Sequence, residues 1–212
     1  MAGRRGVEII HLDEISYQEA LDLMKQLQRQ RIDDLIPDTL LLLHHPEIVT
    51  VGPRATNEGI KAPQGYPSHT VDRGGGLTWH GPGQLVGYPI FKWDLEGETS
   101  VAAIISLLEQ WIINTLDELG IKSSRDDRMQ GVWVDDKKIC SIGLSFLRWV
   151  SRHGFSINID TPSGRVEGLA GCGLESKTTT SLARLDYHFS IEQFTQSLLK
   201  NMQNSVNRIV RD

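Results

Sequence analysis

Apolar positions along the chain recur with two different periods, and the changes between them mark the elements. Val7-Glu8-Ile9-Ile10 reads as a strand. Ser16-x-x-Glu19 has capping-box spacing, and the Ala20, Leu21, Met24 and Leu27 that follow recur at helical intervals. Leu40 to His44 and Ile48 to Val51 are short apolar or β-branched runs split by His45-Pro46-Glu47, hence a strand, a turn and a second strand. Residues 52–68 hold Pro53, Asn57, Gly59, Pro63, Gly65 and Pro67 with no apolar period, so a long loop is expected, and such loops often carry function. Leu85 to Trp93 reads as another strand. Thr99 or Ser100 can cap a helix through Val101, Ile104, Leu108, Ile112 and Leu116 to Gly120. Strand-like runs from Gly131 to Asp160, broken at Asp135-Asp136-Lys137 and from Arg148 to Arg152, predict an antiparallel meander ending at Thr161-Pro162. Ser190 caps a last helix with Ile191, Phe194, Leu198 and Met202 on one face.

Helices and strands do not alternate regularly, which favours an α+β fold over a doubly wound parallel sheet. With 212 residues and no repeat or linker, a single domain over 1–212 is expected. Hydrophobic residues make up 39% and charged residues 23%, a balance foreign to disordered chains and membrane proteins. No apolar run is long enough to span a bilayer and no signal-peptide core follows Met1, so a soluble, cytoplasmic protein is expected. The net charge of −5 argues against nucleic acid as the main partner. An acidic partner must then meet a confined basic patch, for which Arg54, Lys61, Arg73, Arg148 and Arg152 are candidates.

The most informative stretch is Arg73-Gly74-Gly75-Gly76-Leu77-Thr78-Trp79-His80-Gly81-Pro82-Gly83-Gln84. Its glycines let backbone approach a ligand, while Arg73, Thr78, His80 and Gln84 supply polar groups; the alternative is a glycine-rich hairpin with a solvated histidine. It matches neither nucleotide-binding glycine motif. Cys140 and Cys172 are the only cysteines, too few for a disulfide framework, and both should be free thiols. Cys172 lies open between Gly171 and Gly173, suited to a nucleophile, although a lone cysteine is ordinarily a small packed residue. Cys140 fits that packed role inside Ile139-Cys140-Ser141-Ile142. Lys138 heads the same strand and in strict alternation shares a face with Cys140 and Ile142; beside Asp135 and Asp136 it also reads as a solvated turn residue. His153, before Gly154-Phe155-Ser156, reads as either a turn residue or a pocket wall. Without a CxxC or HExxH pair no metal site is expected, and no cofactor is expected either.

Together these segments resemble the octanoyl-[acyl-carrier-protein]:protein octanoyltransferases of lipoate synthesis. The resemblance rests on the Arg73 to Gln84 stretch followed by Val86-x-Tyr88, on His45-Pro46 through Val51-Gly52 and Arg54, on Lys138 to Gly143, on His153-Gly154 and on Cys172-Gly173. It spans roughly residues 40–175. It implies the fold of biotin and lipoate protein ligases, a mixed sheet with helices around an acyl pocket. It further implies that Cys172 carries the acyl group as a thioester, that Lys138 lowers its pKa, and that Lys138 or His80 takes the acceptor's proton. The substrate site would be lined by Arg73 to His80, by Ser141, Ile142 and Gly143, and by Gly154, Phe155 and Ser156. The implied donor is octanoyl-acyl carrier protein. The implied acceptors are lipoyl domains of 2-oxoacid dehydrogenases and the glycine cleavage H protein. One departure is Gly171, where the family usually has proline before the cysteine. An ATP-using lipoate or biotin protein ligase of the same fold, and a catalytically silent acyl-binding domain, are the alternatives.

Overall fold

A computed structural model describes residues 4–169 and 178–211. The chain runs through β1 (Arg5–Glu14), α1 (Tyr17–Ile32), β2 (Asp38–His44), β3 (Ile48–Val51), the short α2 (Pro53–Asn57), β4 (Ser68–Thr70), β5 (Leu77–His80) and β6 (Gln84–Ile90). It continues through α3 (Val101–Glu118), β7 (Val132–Val134), β8 (Lys137–Leu147), β9 (Val150–Asn158), α4 (Ile191–Val206) and β10 (Arg208–Val210). The leucines of β2 explain the layering. Leu40 and Leu42 pack into a core shared with α3 and α4, whereas Leu41 and Leu43 pack into a second core with α1. A strand buried on both faces reads as an unbroken apolar run, which is what Leu40 to Leu43 is.

The large sheet has the order β10-β1-β2-β6-β9-β8-β7. Its first three strands are parallel and the rest antiparallel, so the sheet is mixed and the fold α+β. A small sheet, β4-β3-β5, stands beside it. Capping boxes start α1 (Ser16 with Glu19) and α4 (Ser190 with Gln193), and Ser100 rather than Thr99 caps α3.

Three boundaries differ from the sequence-based expectation. Residues 52–68 are not wholly loop, because Pro53 at the first turn starts α2 and β4 begins at Ser68. The expected break from Arg148 to Arg152 shrinks to Arg148-Trp149, whose positive φ values of 48° and 62° make a two-residue hairpin turn. Leu77 to His80, inside the glycine-rich stretch, is a strand paired with β3.

Arg208, fully buried, ties the far edge of the sheet together. Its guanidinium pairs with Asp38 at 3.0 Å and with Glu98, donates to Lys92 O at 2.9 Å, and lies 4.7 Å from the Trp93 ring centroid. Arg31 Nε donates to the other oxygen of Asp38 at 2.7 Å.

Candidate active site

The glycine-rich loop is laid onto β8 and buckled in place by its own arginine. Gly74 N donates to Leu144 O at 2.9 Å. Beneath it, a Cβ on Gly143 would lie 2.7 Å from Gly74 O, so only glycine permits this approach. Arg73 is 6% exposed and donates to Thr50 Oγ1 at 2.7 Å, to Thr50 O at 3.0 Å, and to Gly74 O and Gly76 O at 3.0 Å. Arg73 therefore organises the loop from behind and is not a docking cation on the surface.

Three adjoining cavities open around this loop, and Thr78 and Ser141 line all of them. The inner one runs past Ile142, Gly143, Gly154 and Phe155 to Tyr17, Tyr88, His80 and His153. The middle one holds Lys138 among Ser156, Asn158, Leu169 and Thr179. The outer one also reaches Lys138 and opens past Gly74, Gly75 and Gly76 to Arg54.

Lys138 is 4% exposed and is no solvated turn residue. Burial, helped by the like charge of Arg73 and opposed by Cys140 and Glu109, draws its amine down from 10.5 to about 8. The expectation that Lys138 shares a face with Cys140 is also corrected. The ladder with β7 slips between Val132, opposite Cys140, and Trp133, opposite Lys138. This bulge leaves Lys138 in the cavity with Ser141 while Cys140 packs in the apolar core. Burial pushes the Cys140 thiol up to about 12, so it is a packing residue, as its strand position suggested. The chain returns to β8 at this lysine: Lys138 N donates to Thr178 O at 2.9 Å and Thr180 N to Lys138 O at 3.0 Å.

His80 is 5% exposed, which excludes a solvated hairpin histidine. Gln84 Nε2 donates to Trp79 O at 2.9 Å and to Asn158 Oδ1 at 2.8 Å, so Gln84 Oε1 must be the acceptor facing His80 Nδ1 at 2.8 Å. His80 Nδ1 thus carries the proton and Nε2 keeps its lone pair. Burial, then the fields of His45 and Arg73, hold His80 well below 6.5 and therefore neutral.

His153 is a pocket wall, not a turn residue. It lies in β9, accepts from the Tyr17 hydroxyl through Nδ1 at 3.2 Å, and donates from Nε2 to Asp72 Oδ1 at 2.8 Å. The Asp72 carboxylate, half exposed and held down chiefly by that bond, also pairs with Arg152 at 2.5 Å, so Arg152 is already paired within the chain.

Residues 16–203 match the family model of the lipoyl protein ligase A/B catalytic domain. The octanoyltransferase of Caldicellulosiruptor saccharolyticus is 38% identical over 86% of this chain and 80% of its own length. That of Syntrophobacter fumaroxidans is 39% identical over 84% of this chain and 80% of its own. The chain belongs to the octanoyltransferase family. The fold agrees with that. A bi-partite lipoate protein ligase from Thermoplasma acidophilum superposes with TM-score 0.71 at 13% identity, covering 98% of this chain and 86% of that one. The biotin protein ligase of Aquifex aeolicus gives 0.56 at 13% identity, covering 96% and 69%.

As a member of the octanoyltransferase family the chain is an acyltransferase with a lipoate-related role. That sets aside the ATP-using ligase and the silent binding domain as alternatives. Every residue expected from Arg73 to His80, from Ser141 to Gly143 and from Gly154 to Ser156 lines one or more of the three cavities. Cys172, with Gly171 and Gly173, lies outside the described residues. Sequence reasoning missed Tyr17, Asn158 and Thr179. Tyr17 had one available signal, its place directly after the N-cap Ser16, which pins it to the start of α1. Among the described residues no helix is long and apolar enough to cross a membrane.

Proposed function

We propose that this chain transfers an octanoyl group from octanoyl-acyl carrier protein to a specific lysine of lipoyl domains, through a thioester on Cys172. The proposed acceptors are lipoyl domains of 2-oxoacid dehydrogenases and the glycine cleavage H protein, and the proposed compartment is the cytoplasm. One observation carries the reading. Lys138 is a buried amine displaced to about 8, and its cavity is walled by Leu169 on one side of residues 170–177 and by Thr179 on the other. Cys172 belongs to the stretch those two residues bracket.

In the first step the Cys172 thiolate attacks the donor's thioester carbon. The bond to Cys172 forms, the bond to the carrier sulfur breaks, and the proton given up by Cys172 ends on the carrier thiol. In the second step the acceptor amine attacks the acyl carbon, the C–N bond forms, the bond to Cys172 breaks, and the amine's proton returns to the cysteine by way of a base. Lys138 suits that role better than His80. An amine near 8 is matched to neutral pH, whereas His80 holds a proton weakly and lines the inner cavity, which Lys138 does not. Intact-mass spectrometry after incubation with octanoyl-acyl carrier protein tests the reading. An octanoyl adduct is expected on the wild type and on Cys140→Ser, and none on Cys172→Ser. An adduct that survives Cys172→Ser and vanishes with Cys140→Ser overturns it.

The docking patch moves away from Arg148 and Arg152. Arg148 lies ten residues from Lys138 along the hairpin, about 30 Å at the rise of a strand. Arg54, by contrast, lines the outer cavity and is half exposed. Arg54→Glu is expected to slow association with the acidic carrier protein several-fold at low salt, an effect that shrinks as salt is added. Arg148→Glu should leave the on-rate unchanged, and stopped-flow mixing at two ionic strengths compares the two.

A further inference from the structure

The inner cavity ends on a buried polar wall, and we infer that this wall caps the length of the acyl chain, with Tyr17 as the specificity-determining residue. The inference rests on the acyl-transfer reading above. Along the ladder of β8 and β9, Ser141 faces Ser156 at the border with the Lys138 cavity, Gly143 faces Gly154, and Leu144 faces His153. The step from Ser141 to Leu144 is about 10 Å at the strand rise. An extended eight-carbon acyl chain has seven bonds, and at three bonds per 3.8 Å it spans about 9 Å. A chain whose carbonyl sits at the serine pair therefore runs past the glycine pair and stops at His153 and Tyr17.

What it meets there is difficult to move. Asp72 can only accept, so His153 Nε2 carries the ring proton and Nδ1 must accept the Tyr17 hydroxyl at 3.2 Å. The Tyr17 side chain is buried, with its ring 5.3 Å from that of His45 and stacked on His80 at 6.1 Å. Its backbone is held at the first turn of α1 by the Ser16–Glu19 capping box. A longer chain would have to displace this ring, leave His153 Nδ1 unpaired, and put methylene groups against Asp72, His153 and Arg152. Losing one buried hydrogen bond costs about ten- to hundredfold in affinity. Each added methylene returns about fourfold at most, and only on apolar surface.

The test measures kcat/KM with octanoyl-, decanoyl- and dodecanoyl-acyl carrier protein on each enzyme form. For the wild type the value is expected to fall about tenfold or more from octanoyl to dodecanoyl. Tyr17→Ala should raise the dodecanoyl-to-octanoyl ratio about tenfold or more by opening the wall. Tyr17→Phe keeps the ring but removes the bond to His153, and should raise the ratio by less than Tyr17→Ala does. A ratio of two substrates on one enzyme is unaffected by the fraction folded, so lost stability cannot imitate the result. If the wild type transfers octanoyl and both variants keep its ratio, the cap is overturned. If the wild type transfers no acyl chain of any length, the acyl-transfer reading itself falls, and the cap with it.

Discussion

Lys138→Met is expected to lower kcat/KM by about two to four orders of magnitude while making the protein more stable. Both effects come from the same burial. In the wild type, the pH profile of transfer from preformed octanoyl-enzyme to the acceptor should contain a limb ending near pH 8, where Lys138 loses its proton, in addition to the rise that deprotonation of the acceptor lysine itself gives. The variant should lack this limb, which separates proton transfer from a merely positional role. The stability effect has the opposite sign. Unfolded, the lysine keeps its proton up to about 10.5; folded, only to about 8. Between those values the unfolded state binds more protons, so stability rises with pH across that window, and at pH 7 the full cost of the buried charge, about 3 kcal/mol, is present. Replacement by methionine removes that cost. Single-turnover kinetics and urea denaturation, both at pH 7, measure the two sides; a variant that loses activity and stability together would mean that the amine mainly holds the fold.

The largest loss of stability is expected from Arg208→Ala. Asp38 is fully buried and Glu98 is 3% exposed, and the variant takes away the partner of Glu98 and one of the two arginines bonded to Asp38, leaving Arg31 on its other oxygen. Breaking a buried ion pair from one side costs about 3–5 kcal/mol, equivalent to a fall in Tm of about 10 °C in a protein of this size. Lys200→Ala is the control. Lys200 also contacts a carboxylate, Glu118 at 2.6 Å, but its side chain is 73% exposed, and such pairs contribute about 1 kcal/mol or less. Thermal denaturation of the two variants should give clearly different shifts, and equal small shifts would show that water reaches Asp38 and Glu98 once Arg208 is gone.

What the sequence made legible was local. Ser16 with Glu19 and Ser190 announce helices because a cap is written within one turn of chain. Leu40 to Leu43 announce a strand, and the density of glycine from Gly74 to Gly83 announces close backbone contact. The α+β class and the identity of the cavity-lining segments followed from these features and from the family resemblance. Features that depend on distant partners were not legible. Tyr17 and His153 are separated by 136 positions, and neither has a periodicity that points to the other. The slip opposite Ile139 also escaped, since strict alternation assigns Lys138 to the wrong face and nothing local marks the extra residue. Arg73 was misjudged for a related reason. A cation in a glycine-rich loop looks available to a partner until Thr50, on another strand, claims its donors.

The charge knot around Arg208 also sets an order on biosynthesis. Its bond to Asp38 spans 170 positions, so a ribosome adding about 5–20 residues per second exposes Asp38 some 10–30 s before Arg208 is made. Until then Asp38 has Arg31 beside it at 2.7 Å, but Glu98 lacks the guanidinium that pairs with it, and the central sheet cannot close at its β10 edge. The nascent chain should therefore remain open to chaperones and proteases through most of translation, and reach its protected state only when the last strand emerges.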